Sequence, residues 1–206
     1  MFAARTGAGV AVFDLGWWNY ERGLRRMLQG LEATPRDVGF VFLTHAHRDH
    51  LAGWRAMRQA TYYIAAPELS RLTGAERPRG WIPRMAEWVS PMRYPRGGEL
   101  RVVTFSRDTA FVLGADTVRA YLIPGHTPGS TAYLFRGTLF LGDAVTYSRG
   151  GGFRPAKRGF SDDTRLAAAS LAGLWPRLPA GGVRYACTAH AHCTPFTPAF
   201  LADVAR

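Results

Sequence analysis

All six histidines of the chain fall in three short segments, and the first, Thr44-His45-Ala46-His47-Arg48-Asp49-His50, holds four side chains able to bind metal within six residues. It follows Val38-Gly39-Phe40-Val41-Phe42-Leu43, an apolar run of buried-strand length, so the ligand types begin where a strand ends. Alternation along an extended chain puts His45 and His47 on one face, able to converge on one ion. Asp49 and His50 come after the turn, where the chain can curl back toward a second ion nearby. Imidazole and carboxylate are groups that zinc, iron or manganese accept.

An isolated His-x-His is most often a surface pair or satisfied core, so the other segments decide the reading. Tyr121-Leu122-Ile123-Pro124-Gly125-His126-Thr127-Pro128-Gly129-Ser130 reads as a strand and then a tight turn carrying one histidine. Leu139-Phe140-Leu141-Gly142-Asp143 is an apolar strand with an acid at its end, and Tyr185-Ala186-Cys187-Thr188-Ala189-His190-Ala191-His192 again ends a strand in histidine. Four strand ends, each delivering a ligand type, describe one rim.

In this order the segments resemble the fingerprint of the metallo-β-lactamase superfamily: strand-T-H-x-H-x-D-H, then G-H-T-x-G, then a strand-end G-D, then a late strand-end His. The resemblance runs over nearly the whole chain. It implies that His45, His47 and His126 hold a first metal, that Asp49, His50 and His190 hold a second, and that Asp143 bridges the two. It also implies that Asp14, at the end of Gly9-Val10-Ala11-Val12-Phe13, orients the His-x-His loop from behind. Leu51-Ala52-Gly53 stands where two glycines often follow the last His, and Ala189 replaces the usual glycine. His192 lies two residues beyond His190 on the same face of an extended chain, leaving the last ligand open between them, with His190 favoured.

At 206 residues the chain suits one well-filled domain. No signal-peptide pattern and no apolar run of spanning length stand out, so a cytoplasmic enzyme with no membrane partner is expected. In that setting Cys187 and Cys193 are expected to be buried thiols rather than a disulfide. The net charge of +11 invites a nucleic-acid reading, but Lys157 is the only lysine and the arginines are scattered among abundant Ala, Gly and Pro. That pattern fits genome composition and a solvated basic face, and no nucleic-acid partner is expected. Oligomerisation is left open.

The run Trp17 to Glu32 carries Leu24, Met27, Leu28 and Leu31 at helical spacing, Leu51 to Gln59 reads as a helix, Thr61 to Ala65 as a strand, and Arg165 to Leu174 as a helix. Strands recur over Leu100 to Phe105 and within Thr117 to Phe135. Strands that both alternate with helices and follow one another predict two sheets covered by helices, a four-layer αβ/βα sandwich, as the resemblance also implies. The resemblance implies more strand material before Val10 than the nine residues present, so a first sheet short of an edge strand, or a chain that starts late, is expected. The irregular stretch 67–98 carries Trp81, Met85, Trp88 and Met92 as one stripe of a short helix, to be buried on the sandwich or over the metal rim as a substrate-covering insertion.

Two divalent ions about 3.5 Å apart can share a hydroxide that is nucleophilic at neutral pH. The expected activity is therefore a binuclear metallo-hydrolase using that bridging hydroxide. Zinc is favoured and iron or manganese are alternatives, with Asp49 and Asp143 as the catalytic carboxylates. Asp143 resembles the glyoxalase II-like and lactonase branches more than the antibiotic-cleaving ones, which points to a small-molecule ester, thioester or lactone. A phosphodiesterase of the same fold is the alternative. Tyr147 could reach a substrate oxygen, although a buried structural role is the simpler expectation.

Overall fold

A computed structural model of the chain describes residues 1–17, 20–89 and 92–205. The first sheet runs in the order β1 (Phe2–Thr6), β2 (Gly9–Phe13), β3 (Val38–Phe42), β4 (Thr61–Ala65) and β5 (Arg101–Phe105). β1 and β2 form an antiparallel hairpin, and β2 to β5 are parallel. Parallel neighbours need crossovers. These carry α1 (Tyr20–Gln29), α2 (Arg48–Leu51), α3 (Leu69–Leu72) and α4 (Trp81–Val89).

The second sheet begins with β6 (Thr109–Leu113), β7 (Asp116–Leu122), β8 (Thr131–Phe135) and β9 (Thr138–Phe140). The chain then leaves as a separate hairpin, β10 (Val145–Ser148) and β11 (Gly152–Pro155), passes through α5 (Thr164–Ala172), and returns as β12 (Tyr185–Cys187) and β13 (Cys193–Pro195) before α6 (Pro198–Val204). The sheet order is β13-β12-β9-β8-β7-β6, antiparallel except where β12 lies parallel to β9.

Two-residue alternation sorts the apolar side chains into three cores, and three cores separate four layers. Val10, Val12, Val41, Tyr62 and Ile64 pack with Leu24, Leu28 and Trp54 beneath the helical side of the first sheet. Their sequence neighbours Ala11, Phe13, Phe42 and Ala65 turn inward to meet Val118, Tyr133, Phe135 and Phe140 from the second sheet. Phe13 stacks on Phe140 with ring centroids 4.2 Å apart, joining the two sheets directly. Ala132, Leu134 and Leu139 face the other way, onto Leu171, Phe200 and Val204 of α5 and α6.

Several expectations are corrected here. The first sheet does not lack an edge strand: all five residues of β1 pair with β2, because Gly9 allows the chain to turn back at once. The segment expected as a helix over Leu51 to Gln59 starts earlier, at Arg48, and continues as 3₁₀ turns over Ala52–Met57. Within the helix expected from Trp17 to Glu32, Trp18 and Asn19 lie outside the described residues, as do Ser90 and Pro91 of the 67–98 stretch. Cys187 and Cys193 are not free thiols; they form a disulfide. β12 and β13 are antiparallel with these two residues directly opposed, Cα to Cα 4.0 Å, a juxtaposition the spacing alone does not reveal. Among the described residues no helix is long and apolar enough to cross a membrane.

Candidate metal centre

The ends of β3, β7, β9 and β12 meet at one edge of the two-sheet core, and each delivers ligand-type side chains there. Past β3 the chain bends at Thr44 and enters α2 at Arg48, and in this short link His45 Nε2 stands 3.0 Å from His47 Nδ1. The β7–β8 loop brings His126 Nε2 to 3.2 Å from His45 Nε2 and 3.1 Å from His47 Nδ1. All three rings are buried. Gly142 explains how Asp143 arrives: it sits at φ +54°, and a Cβ there would lie 2.5 Å from the Thr44 hydroxyl, so only glycine lets the end of β9 pass so close to the end of β3.

A second group, Asp49, His50, Asp143 and His190, gathers beside the first. His190 Nε2 is 2.9 Å from Asp49 Oδ2 and 3.2 Å from Asp143 Oδ2, while His50 Nε2 is 3.5 Å from Asp143 Oδ1. Asp143 Oδ2 also lies 3.8 Å from His126 Nε2, so this carboxylate stands between the two groups.

The outer nitrogens fix which atoms face inward. The Thr44 hydroxyl has one proton, which it donates to Asp14, 2.9 Å away; toward His45 Nδ1, at 3.1 Å, it can therefore only accept. His45 Nδ1 then carries the proton, and its Nε2 presents a lone pair to the group. Asp14 Oδ2 accepts a hydrogen bond from His50 Nδ1 at 2.9 Å, which leaves His50 Nε2 facing inward, while Asp14 Oδ1 accepts the Thr44 N–H. Ser161 Oγ sits 3.2 Å from His126 Nδ1. This is the outer support expected of Asp14, shared with Thr44 and Ser161, which the sequence reading did not single out.

The donor set fits divalent ions. Nitrogens bonded at 2.0–2.1 Å to one tetrahedral ion are separated by about 3.3 Å, close to the spacing of the three imidazoles. His50 Nε2 and Asp143 Oδ1 are buried with no hydrogen-bond partner among the described residues, a costly arrangement unless something else satisfies them. Burial holds His45, His47 and His126 below the ordinary histidine pKa, leaving them neutral as ligands must be. In the second group burial also opposes charge on His50, but the carboxylates of Asp14, Asp143 and Asp49 outweigh it and raise the ring well above its usual value. Hydrogen bonds to Asp143 and Asp49 push His190 up to about 10. Asp143 is held well below the usual carboxylate range: burial opposes ionisation there, and His50 and His190 overcome it.

The seven residues expected from the sequence are thus brought together. His192 is not among them; its ring packs edge-on against Tyr147 at 5.0 Å and Phe153 at 5.6 Å. Tyr147 is therefore part of that aromatic cluster, half exposed rather than buried, and does not line the cleft above the two groups. That cleft, about 320 Å³, is walled by Trp17, Ile82, Pro83, Ala156 and Phe160, with Lys157 as its one lysine. A larger groove of about 730 Å³ runs along β11, α5 and α6 and contains none of the seven residues. The α4 part of the stripe expected to be buried is instead turned to solvent, Trp81 62% exposed, Met85 57% and Trp88 88%, whereas Met92, beyond the end of α4, packs partly buried against the first core. Ile82 and Pro83 form the wall because the Ile82 N–H is tied to the Gly159 carbonyl, which seats the first turn of α4 against the 157–160 segment.

A two-sheet sandwich with helices outside and paired His/Asp groups at one sheet end defines a metallo-hydrolase type of fold and site. A family model, the metallo-beta-lactamase superfamily, matches residues 1–179, and the chain belongs to that superfamily. The hydroxyacylglutathione hydrolase of Gloeobacter violaceus is 28% identical over 123 residues, 59% of this chain and 40% of the relative. That of Acidiphilium cryptum is 28% identical over 108 residues, 52% of this chain and 35% of the relative. The matched part of the chain thus spans well under half the length of these relatives. Among solved structures, the BLEG-1 B3 metallo-beta-lactamase superposes with a TM-score of 0.67 at 21% identity, covering 94% of this chain and 87% of that one. A B3 metallo-beta-lactamase with an active site glutamic acid gives 0.70 at 17% identity, covering 98% and 78%. At such identities the likeness is one of fold. The relatives and neighbours so named are hydrolases, so the family is one of enzymes.

Proposed function

We propose that the protein is a binuclear metal-dependent hydrolase of a small ester, thioester or lactone. In this reading His45, His47 and His126 hold one ion, Asp49, His50 and His190 hold the other, and Asp143 joins them, with zinc the favoured metal. The observation that carries it is the adjacency of the neutral imidazole trio and the carboxylate-rich group, spanned by Asp143, at the floor of an apolar cleft. Ions bound there would supply a water nucleophile at neutral pH and polarise the attacked carbonyl.

The protein's own residues do the rest. Asp14, Thr44 and Ser161 hold the rings in one orientation, so little reorganisation is left for the reaction itself. Asp49 Oδ2 faces His190, and Oδ1 is the atom this reading assigns to take the proton of the attacking water and pass it to the leaving group. Trp17, Ile82, Pro83 and Phe160 exclude water and receive an apolar acyl or aromatic group, with the first turn of α4 as the cover over the substrate. The name of the curated relatives favours a thioester among the three ester types. A cytoplasmic setting belongs to the same reading, and the Cys187–Cys193 bond is the observation that weighs against it.

Elemental analysis of the fully metallated protein is expected to give two ions per chain, and a panel of small esters, thioesters and lactones is expected to show turnover that Asp143→Ala abolishes while the fold persists. Saturation at one ion, or undiminished turnover by the variant, would overturn the reading. Cleavage of a bis-aryl phosphate without ester cleavage would establish a phosphodiesterase instead.

A further inference from the structure

Glu68 has no surface exposure and takes no part in the reaction described above, yet it carries a carboxylate into the interior, where the Thr127 side chain and the buried Arg71 lie near it. It ends the single 3₁₀ turn, Ala66–Glu68, that follows β4. Its Oε2 accepts the N–H of Ala46 at 2.9 Å, and its Oε1 accepts the N–H of Gly129 at 2.8 Å. Ala46 lies between His45 and His47, and Gly129 lies three residues after His126. One carboxylate therefore grips both loops that carry the imidazole trio. Gly129 is shaped to it: a Cβ at that position would lie 2.6 Å from Glu68 Cγ.

The same short segment braces His126 from the other side. Arg71, buried one turn beyond Glu68, pairs with Asp162 Oδ2 at 2.6 Å, and the Asp162 N–H bonds to the His126 carbonyl at 3.0 Å. Burying a carboxylate is costly unless its oxygens are satisfied, and here both are occupied by loop N–H groups outside the strand ladders. The second group draws its support from Asp14, which also reaches His45 of the trio through Thr44. Asp14 at the end of β2 holds His50, and the Leu15 N–H bonds to the His50 carbonyl at 2.8 Å.

We infer that Glu68 is a positioning residue for the His45/His47/His126 trio, setting the distance between the two ligand-bearing loops and so the affinity of that group for its ion, independently of the second group. The inference rests on the metal reading proposed above. Its test is a zinc titration of the metal-free protein against a chromophoric chelator, with His190→Ala marking which binding step belongs to the second group. Glu68→Gln keeps the shape but turns an amide N–H₂ toward one of the two backbone donors. It is expected to weaken the first-group step by the order of 10- to 100-fold typical of outer supports while leaving the second-group step within about twofold. A purely structural role would weaken both steps together, and that result, or an unchanged first step, would overturn the inference. Should the variant not fold, amide exchange on the unaltered metal-free protein decides. The Ala46 and Gly129 protons are expected to exchange at least about tenfold more slowly than unstructured ones, and unprotected exchange would overturn the inference. Absence of zinc binding by the unaltered chain would overturn the metal reading itself, and the role of Glu68 with it.

Discussion

Histidine protonation divides the site residue by residue. The trio is neutral without metal, whereas His50 and His190 hold protons donated to carboxylates, His190 with a pKa of about 10. An ion entering the second group must displace those protons, so its affinity is expected to rise with pH from neutrality toward about 10, while the trio shows little dependence there. Calorimetry in buffers of different ionisation enthalpy reads the released protons step by step, and equal release in both steps would contradict this division. The two late histidines separate in the same way: His190→Ala is expected to lose one ion, and His192→Ala, which only disturbs packing on Tyr147 and Phe153, to keep both in metal analysis. Lys157 puts a positive charge on the cleft wall, so Lys157→Met is expected to raise KM several-fold for carboxylate-bearing esters relative to neutral ones of the same size.

Two elements near the site lend themselves to direct tests. α4 has a wall side and a solvent side. Ile82→Ala is expected to raise KM for bulky apolar esters more than for short ones, whereas Trp88→Ala, at a position 88% exposed, is expected to leave both stability and the substrate profile unchanged. A matching effect of the two variants would show that the outer stripe also reaches substrate. β12 and β13 are joined by the Cys187–Cys193 bond across a sequence separation of 6, closing the loop that carries His190. Constraint of so short a ring contributes about 2 kcal/mol in the chain-entropy picture. Cys193→Ser is therefore expected to lower the denaturation midpoint measurably, and an unchanged midpoint would show that the loop is held by other contacts.

At the scale of the whole molecule the site ties the two sheets together. His45, His47 and His50 follow β3 of the first sheet, while His126, Asp143 and His190 come from the ends of strands in the second. Ions bound by both sets would therefore stabilise the entire sandwich, by about 2.7 kcal/mol at a hundredfold excess over the dissociation constant. Thermal unfolding is expected to shift down on treatment with a chelator and to recover with added zinc; a midpoint indifferent to metal would count against ligands drawn from both sheets.

Much of this was readable along the chain, because ligand residues at strand ends leave a local mark: an apolar run of strand length followed at once by histidine or aspartate. The gathering of seven ligand-type residues, the two-sheet class and strands such as Thr61–Ala65 were legible for that reason, since each depends on side-chain chemistry and on a period of two. What stayed hidden depends on residues far apart in sequence. The strand β1 is defined by its partner β2, and the disulfide by the facing of β12 and β13. Glu68 meets Gly129 only across a sequence separation of 61. The exposed side of α4 was misread for a similar reason: helical spacing identifies an apolar stripe, but which side is covered depends on where the neighbouring 157–160 segment seats the helix. Local chemistry determined which residues could bind metal, and the tertiary structure decided which backbone and carboxylate groups hold them in place, because those contacts exist only once the two sheets have closed on each other.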